Sequence, residues 1–408
     1  MNRHTVSVLS FVLVILAVMM GPAFAGGPAT AGIASAAPPV TIDVDLPSDS
    51  TGTPGGTLAV RIVAPASPAD ARYPEGAPVV VYAVGGVSAG TLRTQQLSLA
   101  DDVIRIFFLY PGGTDLGRSS DGTYDYRGPN SIAALRDVIR YAAGELTDSL
   151  GRTIDDVVPV PVLHDEIGLF GSSNGGNIVV AVAAEHGVDL ADHVRYIIQW
   201  ESPVSSQIST MDLGGFRLDC PGERPEHWSV INPRYRGYGP LEVDIDYRQI
   251  AYDASDARHP IFLDGTGDGR YTTVLDPSTG CLTPDLDLDG TLELNEDFPL
   301  RKDGAGQSYS RPATQAMADQ NIFGVSWPGD IATVAEANAF WDLREAVRLY
   351  PGALTNIPDL EGMVLISIRD HKQDAPDHPH IHQAFDGWLG GARPPPPPRA
   401  PPPPPPPP

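Results

Sequence analysis

Several short runs of this sequence are almost entirely apolar and end in glycine. The clearest are APVVVYAVGG at residues 77–86, VIRIFFLYPGG at residues 103–113 and EIGLFG at residues 166–171. A strand with one face in water alternates apolar and polar residues, whereas a strand covered on both faces is apolar throughout. These runs therefore predict the central strands of a sheet whose two faces are both covered.

Further candidate strands and helices alternate along the chain. A hairpin at residues 40–65 is expected at one edge of the sheet, because its two halves alternate apolar and polar residues around turn residues. Later strands are expected in VRYIIQW (194–200), HPIFLDG (259–265) and GMVLISI (362–368), and helices at 130–146 with Asn130 as N-cap, from near Asn174, and at 379–389. This order predicts an α/β fold with a mostly parallel sheet and crossover helices on both faces.

Two long insertions interrupt this order within a main domain that we place at residues 40–391. Residues 205–258 are irregular and aromatic, and we expect a lid or pocket wall there, while residues 271–330 are acidic. Residues 26–39 are a flexible lead-in rich in glycine, alanine and proline. Residues 392–408 are mostly proline and are expected to form a polyproline II segment, either as an arm for surface contact or as an inert disordered tail.

The first 25 residues are typical of a signal peptide. Arg3 precedes an uncharged apolar run, and Ala23-Phe24-Ala25 has the small-x-small pattern of a cleavage site. The run is short for a membrane span, and no later segment is apolar enough for one. We expect cleavage after Ala25, with an uncleaved N-terminal anchor as the alternative, and a mature chain that is secreted or held at the cell surface.

The strongly acidic composition excludes some classes of partner. The formal net charge is −24, and it becomes −25 when Arg3 is removed. Nucleic acids and anionic lipids bind basic surfaces, so neither is expected as a partner. No organic cofactor is expected either.

The chain has two cysteines, Cys220 and Cys281. In an exported protein an even number of cysteines favours a disulfide. This one would close a loop of about 60 residues and stabilise the fold by up to roughly 4 kcal/mol. Two unpaired buried thiols are the alternative.

The acidic insertion contains a complete calcium-loop pattern. DLDLDGTLELNE at residues 285–296 fits D-x-[DN]-x-[DN]-G-x5-E. Oxygen ligands would come from Asp285, Asp287, Asp289, the carbonyl of Thr291 and Glu296. Prolines on both flanks disfavour the helices of an EF-hand, so the pattern predicts a structural Ca²⁺, with a solvated acidic loop as the alternative.

The serine at position 173 lies in a pattern that is typical of a nucleophile. Residues 171–175 read G-S-S-N-G, directly after a predicted buried strand and directly before a predicted helix. A sharp strand-to-helix turn exposes the serine hydroxyl and requires neighbours with almost no side chain. The helix N-terminus directs amides at a developing oxyanion, which makes the Asn174 amide one donor. The glycine-rich loop VGGVSAG at residues 84–90 would supply a second donor, the Gly86 amide.

With this turn and this order of elements, the chain resembles the α/β-hydrolase superfamily over nearly all of residues 40–391. The doubled glycine of GSSNGG is similar to the dienelactone-hydrolase and prolyl-oligopeptidase-like branches. One departure concerns the oxyanion loop, where Val84 stands in place of the histidine that the family has before its two glycines. The donor at Gly86 is therefore assigned by position alone.

The resemblance implies that an acid and then a histidine follow the serine along the chain. An alkyl hydroxyl needs an imidazole to take its proton and a carboxylate to orient that imidazole. Asp268 follows the expected strand PIFL, with Asp264 as a competitor, and His371 follows the last expected strand. We therefore expect a Ser173–His371–Asp268 triad.

A rival assignment uses the last strand as the acid strand. Asp370 would then be the acid, and His380 or His382 would be the base. The short spacing and the lack of a further strand are arguments against it.

These features favour a secreted serine hydrolase that cleaves an ester or amide through an acyl-enzyme. A carboxylic ester of a small molecule, lipid or carbohydrate is the favoured substrate. Two alternatives remain open: a secreted peptidase of the prolyl-oligopeptidase-like type, and a non-catalytic surface protein that uses the same fold for binding or attachment.

Overall fold

The computed structural model describes residues 37–86, 88–94, 101–206, 247–253, 261–264, 267–270, 273–275, 282–284, 298–299, 309–321, 332–366 and 379–390. The strands are β1 Val40–Pro47, β2 Thr57–Ala64, β3 Ala77–Ala83, β4 Ile104–Phe108, β5 Thr114–Asp115, β6 Arg118–Ser119, β7 Val162–Ser172, β8 Val194–Trp200, β9 Ile250–Tyr252, β10 Ile261–Leu263, β11 Thr273–Leu275, β12 Leu282–Pro284, β13 Phe298–Pro299 and β14 Glu361–Leu365. The α-helices are α1 Pro129–Ala142, α2 Ile154–Val157, α3 Gly175–Leu190, α4 Arg311–Asp319, α5 Val334–Asp342, α6 Ala346–Asn356 and α7 Pro379–Trp388.

Seven strands form the main sheet in the order β1-β2-β4-β3-β7-β8-β14. The β1–β2 and β2–β4 pairs are antiparallel, and the other four pairs are parallel. The hairpin therefore lies at one edge of a mostly parallel sheet, which confirms the fold class predicted from the sequence.

The two faces of the sheet carry separate apolar clusters, because successive strand residues point to opposite sides. The larger core joins one face to α1, α3, α6 and α7, with fully buried residues such as Val79, Ile106 and Leu169. The opposite face carries Tyr82, whose ring lies 4.8 Å from Phe107 and 5.0 Å from Phe170 between centroids. The main sheet is thus buried along its centre, as its continuous apolar runs indicate.

The strand expected in HPIFLDG does not join the main sheet. Its residues Ile261–Leu263 form β10, which pairs antiparallel with β9 and β13 in a separate three-stranded sheet. The place beside β8 is taken by β14, in parallel register from Tyr196 and Glu361 to Trp200 and Leu365. A run of three apolar residues indicates a strand but contains no information about which strand it pairs with.

The expected N-cap of α1 was also wrong. The helix begins at Pro129, and its N-cap is Gly128 rather than Asn130. Proline is favoured in the first helical turn because its missing N–H has no intrahelical partner there. The Asp125 carboxylate instead accepts hydrogen bonds from the amides of Gly128, Asn130 and Ser131.

Among the described residues, no helix combines the length and the apolarity that a membrane span requires.

Candidate active site

Ser173 lies on the turn between β7 and α3, at the carboxyl edge of the main sheet. Its backbone has φ 48°, in the left-handed region that non-glycine residues rarely adopt. Its amide donates to the Trp200 carbonyl at 2.7 Å, and its carbonyl accepts from the Gly176 amide at 2.9 Å. The residue is partly exposed at this edge.

Three glycines make this turn sterically possible. A Cβ on Gly171 would lie 2.5 Å from the Gly175 carbonyl oxygen. A Cβ on Gly175 would collide with the Ala83 carbonyl oxygen, and one on Gly176 would collide with the Ser202 hydroxyl. Since the colliding atoms of Gly171 and Gly175 are backbone, a larger residue at Gly175 would force the turn away from β3, and one at Gly171 would force β7 away from the start of α3.

The loop after β3 lies directly against this turn. The Gly85 amide donates to the Ser172 hydroxyl at 3.1 Å, and a Cβ on Gly85 would lie 2.6 Å from the Cβ of Ser173. Among the residues that the structure describes, the amides of Gly86 and Asn174 donate to no other group. Two unused N–H groups therefore flank the serine, which is the requirement for an oxyanion site.

Arg127, which the sequence analysis did not identify, supports the oxyanion loop from behind. Its guanidinium donates to the Val84 carbonyl at 3.1 Å and is almost completely buried. Arg127 and the preceding Tyr126 both have left-handed backbones, at φ 63° and 52°. No pattern in the sequence distinguishes this arginine, because its contact depends on a loop 43 residues away.

A second arginine holds the strained segment in place. The Arg344 guanidinium donates to the carbonyls of Tyr126 at 2.6 Å and Asp125 at 2.7 Å, and it lies 3.9 Å from the Phe340 ring centroid. Burial lowers the pKa of Arg344 to about 10. Burial also raises the pKa of Tyr110, although the positive charge of Arg127 opposes this shift. Two arginine side chains, with the Asp125 carboxylate near them, therefore lie behind the oxyanion loop.

Glu201 is a further residue that the sequence analysis did not identify. It follows the last residue of β8, has a left-handed backbone at φ 50°, and donates its amide to the Leu365 carbonyl at 2.8 Å. Its position directly after the strand VRYIIQW is the sequence signal that could have indicated it, since functional residues of parallel sheets follow the carboxyl ends of strands.

Asp268, the acid expected from the sequence, does not follow a strand of the main sheet. Asp268 is exposed in the loop after β10, and its carboxylate accepts the Arg270 amide at 2.9 Å. The Asp264 carboxylate organises the same loop by accepting the amides of Gly267 and Gly269. Because β10 is outside the main sheet, the positional reason for choosing Asp268 no longer applies, and its catalytic role stays a prediction.

The candidate histidines are only partly covered by the structure. His371 and the rival acid Asp370 lie outside the described residues. His380 is buried at the start of α7, with 1% of its surface exposed, whereas His382 is exposed on the same helix. The catalytic roles of these four residues therefore stay predictions.

The metal and disulfide predictions also lie outside the described residues. This applies to the calcium-loop residues Asp285, Asp287, Asp289, Thr291 and Glu296, and to Cys220 and Cys281. They stay predictions.

Comparison with known proteins finds similarity only among solved structures. No family model matches the chain, and no curated protein matches it. A hyperthermophilic esterase from the archaeon Pyrobaculum calidifontis is 17% identical over 44% of this chain and 50% of its own, with a TM-score of 0.29. A bacterial heroin esterase is 16% identical over 41% and 46%, with a TM-score of 0.29. A prolyl endopeptidase is 14% identical over 41% and 22%, with a TM-score of 0.28.

The chain spans about half the length of the esterases it matches. Similarity at this level does not assign an activity. The strand order, the parallel pairs and the β7–Ser173–α3 turn give the chain an α/β fold of the α/β-hydrolase-like type.

Proposed function

We propose that this protein is a serine hydrolase that cleaves an ester or amide bond through an acyl-enzyme, with Ser173 as the nucleophile. The observation that carries the proposal is the left-handed backbone of Ser173 between β7 and α3, with the unused amides of Gly86 and Asn174 beside it. Strained non-glycine residues concentrate at functional sites, because the surrounding structure must stabilise them.

The proposed reaction follows from this geometry. An imidazole takes the Ser173 proton, the serine oxygen attacks the substrate carbonyl, and the Gly86 and Asn174 amides stabilise the oxyanion. The imidazole then gives the proton to the leaving alcohol or amine, and water releases the acyl group by the reverse sequence. We assign the imidazole to His371, with His380 and His382 as alternatives.

A carboxylic ester of a small molecule, lipid or carbohydrate is the proposed substrate class, ahead of a peptide. The proposal places the protein outside the cell or at its surface, as the signal-peptide pattern predicts. A structural Ca²⁺ in the acidic insertion is part of the same proposal, and calcium added to the metal-free protein should raise its unfolding temperature.

A fluorophosphonate probe and a panel of p-nitrophenyl esters and peptide amides test the activity. Wild-type protein should be labelled and should hydrolyse at least one ester, whereas Ser173→Ala should lose labelling and about 10³-fold or more of kcat.

Ser172→Ala is the matched control, since Ser172 is the adjacent serine and only supports the oxyanion loop through the Gly85 amide. It should retain labelling with reduced kcat. A wild-type protein that is neither labelled nor active would favour the binding or attachment alternative, and labelling that survives in Ser173→Ala would reject Ser173 as the nucleophile.

A further inference from the structure

We propose that Glu201 is a positioning residue of this site, whose carboxylate orients the imidazole that accepts the Ser173 proton. The proposal rests on the proposed function. It gives the acid role to a residue that follows β8 in the main sheet, in place of Asp268 in the loop after β10.

Ser173 and Glu201 occupy equivalent positions on neighbouring strands. The parallel β7–β8 register ends with Ser172 opposite Trp200, so each of the two residues is the first one past its strand. The hydrogen bond from the Ser173 amide to the Trp200 carbonyl, at 2.7 Å, joins the two strand ends directly. Neighbouring strands lie about 4.8 Å apart, so the two side chains begin close enough together for one imidazole to reach both the hydroxyl and the carboxylate.

Both residues keep a strained backbone that glycine would relieve. Six non-glycine residues have positive φ among those the structure describes: Leu116, Tyr126, Arg127, Ser173, Glu201 and Asn321. Leu116 lies in a two-residue turn between β5 and β6, and Asn321 follows the end of α4, which are ordinary places for this conformation. Glu201 follows a central strand and has no such explanation, so the left-handed backbone indicates that the direction of its side chain is needed.

The surroundings of Glu201 suit an acid that acts on an imidazole. Its carboxylate makes no ion pair or hydrogen bond with any residue in the part of the chain that the structure describes, and it is partly exposed. Its amide bonds to Leu365, the last residue of β14, so Glu201 lies between the serine turn and the end of β14. A carboxylate there accepts the ring N–H of an imidazole, selects the tautomer that faces the serine, and stabilises the imidazolium that forms.

The first test compares Glu201→Gln, Glu201→Asp and Asp268→Asn with wild type by steady-state kinetics over a pH series. Glu201→Gln should lower kcat by about 10²- to 10⁴-fold with a small change in KM, because the imidazole loses its orienting partner. The acidic limb of the kcat/KM profile should move to lower pH, since removal of a nearby negative charge lowers an imidazole pKa. Glu201→Asp should restore part of the rate, and Asp268→Asn should behave as wild type.

The second test uses the strain itself. Glu201→Gly should raise the midpoint temperature of unfolding while it lowers kcat, because glycine adopts positive φ without steric cost. Leu116→Gly is the matched control, with φ 48° in wild type and an exposed side chain in the turn between β5 and β6. It should gain stability and keep full activity. If Glu201→Gln fails to fold, Glu201→Gly still provides the kinetic result.

Two outcomes overturn the inference, namely a Glu201→Gln enzyme with wild-type kcat and an unchanged acidic limb, or Asp268→Asn showing the losses expected of Glu201→Gln. In either case, loss of activity in Ser173→Ala would leave the proposed function standing. Absence of activity in wild type would instead reject the proposed function and this inference together.

Discussion

At Ser173 the fold maintains a backbone conformation that costs stability. A left-handed backbone at φ 48° is unfavourable by roughly 1–2 kcal/mol for a residue with a Cβ. The bonds of Ser173 to Trp200 and Gly176 hold it there. The strained turn leaves Ser173 partly exposed at the carboxyl edge of the sheet.

We predict that Ser173→Gly raises the free energy of unfolding by about 1 kcal/mol and abolishes hydrolysis, because glycine relieves the strain and removes the nucleophile. Chemical denaturation measures the first effect, and ester hydrolysis measures the second. Ser173→Ala is the control, since it also lacks the hydroxyl but keeps the Cβ and should stay near wild-type stability. Equal stability of the two variants would argue that the turn is not strained in solution.

At the level of elements, one buried side chain of the sheet forms hydrogen bonds with α3, α6 and α7. Gln199 of β8 is fully buried and donates to the Gly176 carbonyl of α3 at 3.0 Å. Its carbonyl oxygen accepts from the Tyr350 hydroxyl of α6 at 2.7 Å and from the Trp388 indole of α7 at 2.8 Å. A single amide thus satisfies three polar groups from three helices.

Gln199→Leu should lower the free energy of unfolding by about 3 kcal/mol, because buried polar groups without partners cost about 1–3 kcal/mol each and such costs are not additive. Urea denaturation followed by circular dichroism measures the loss. Gln315→Leu on the exposed side of α4 is the control and should change stability by less than about 0.5 kcal/mol. A loss of unfolding free energy in Gln199→Leu as small as that of the control would contradict this role of the Gln199 hydrogen bonds.

At the level of the whole molecule, several titratable groups make the folded state sensitive to acid. Hydrogen bonds from Arg61 and Arg140 hold the pKa values of Asp43 and Glu145 below their usual values of 3.8 and 4.5. Burial acts to raise the pKa of Asp148, but hydrogen bonds from Arg152 and backbone amides outweigh it and lower the pKa. Burial also lowers the pKa of His186 below 6.5.

All of these pKa shifts make the folded state less stable as the pH falls. A folded-state pKa below the unfolded-state pKa means that the unfolded chain binds protons more readily. The stabilisation is therefore complete above the unfolded-state pKa and is lost as the pH falls through the folded-state pKa. We predict that the unfolding temperature begins to fall below about pH 6.5, where His186 contributes, and falls more steeply below about pH 4.5, where the carboxylates contribute.

Asp148→Asn isolates one of these contributions. Its unfolding temperature should lie below that of wild type at pH 7 and should converge with it as the pH falls below 3.8, because the wild-type carboxylate then loses its charge. Asp192→Asn, at an exposed position, is the control and should follow the wild-type curve. A constant difference between Asp148→Asn and wild type across the pH range would show that Asp148 acts through packing alone.

The central strands and the serine turn were predictable because their signals are local. Continuous apolar runs identify β3, β4 and β7, and the glycines around Ser173 indicate a sharp turn wherever the rest of the chain lies. Strand neighbours cannot be identified in this way, because β10 and β14 are both short apolar runs and only β14 pairs with β8.

The sequence by itself determined the α/β class, the edge hairpin and the turn that exposes Ser173, since hydrophobic periodicity and glycine geometry act over a few residues. Only the tertiary structure decided that β14 lies beside β8 in the sheet, that Arg127 supports the Val84 carbonyl, and that the strand before Glu201 lies beside the serine turn. Those arrangements join residues dozens or hundreds of positions apart, and they arise from strand pairing and packing of the complete core.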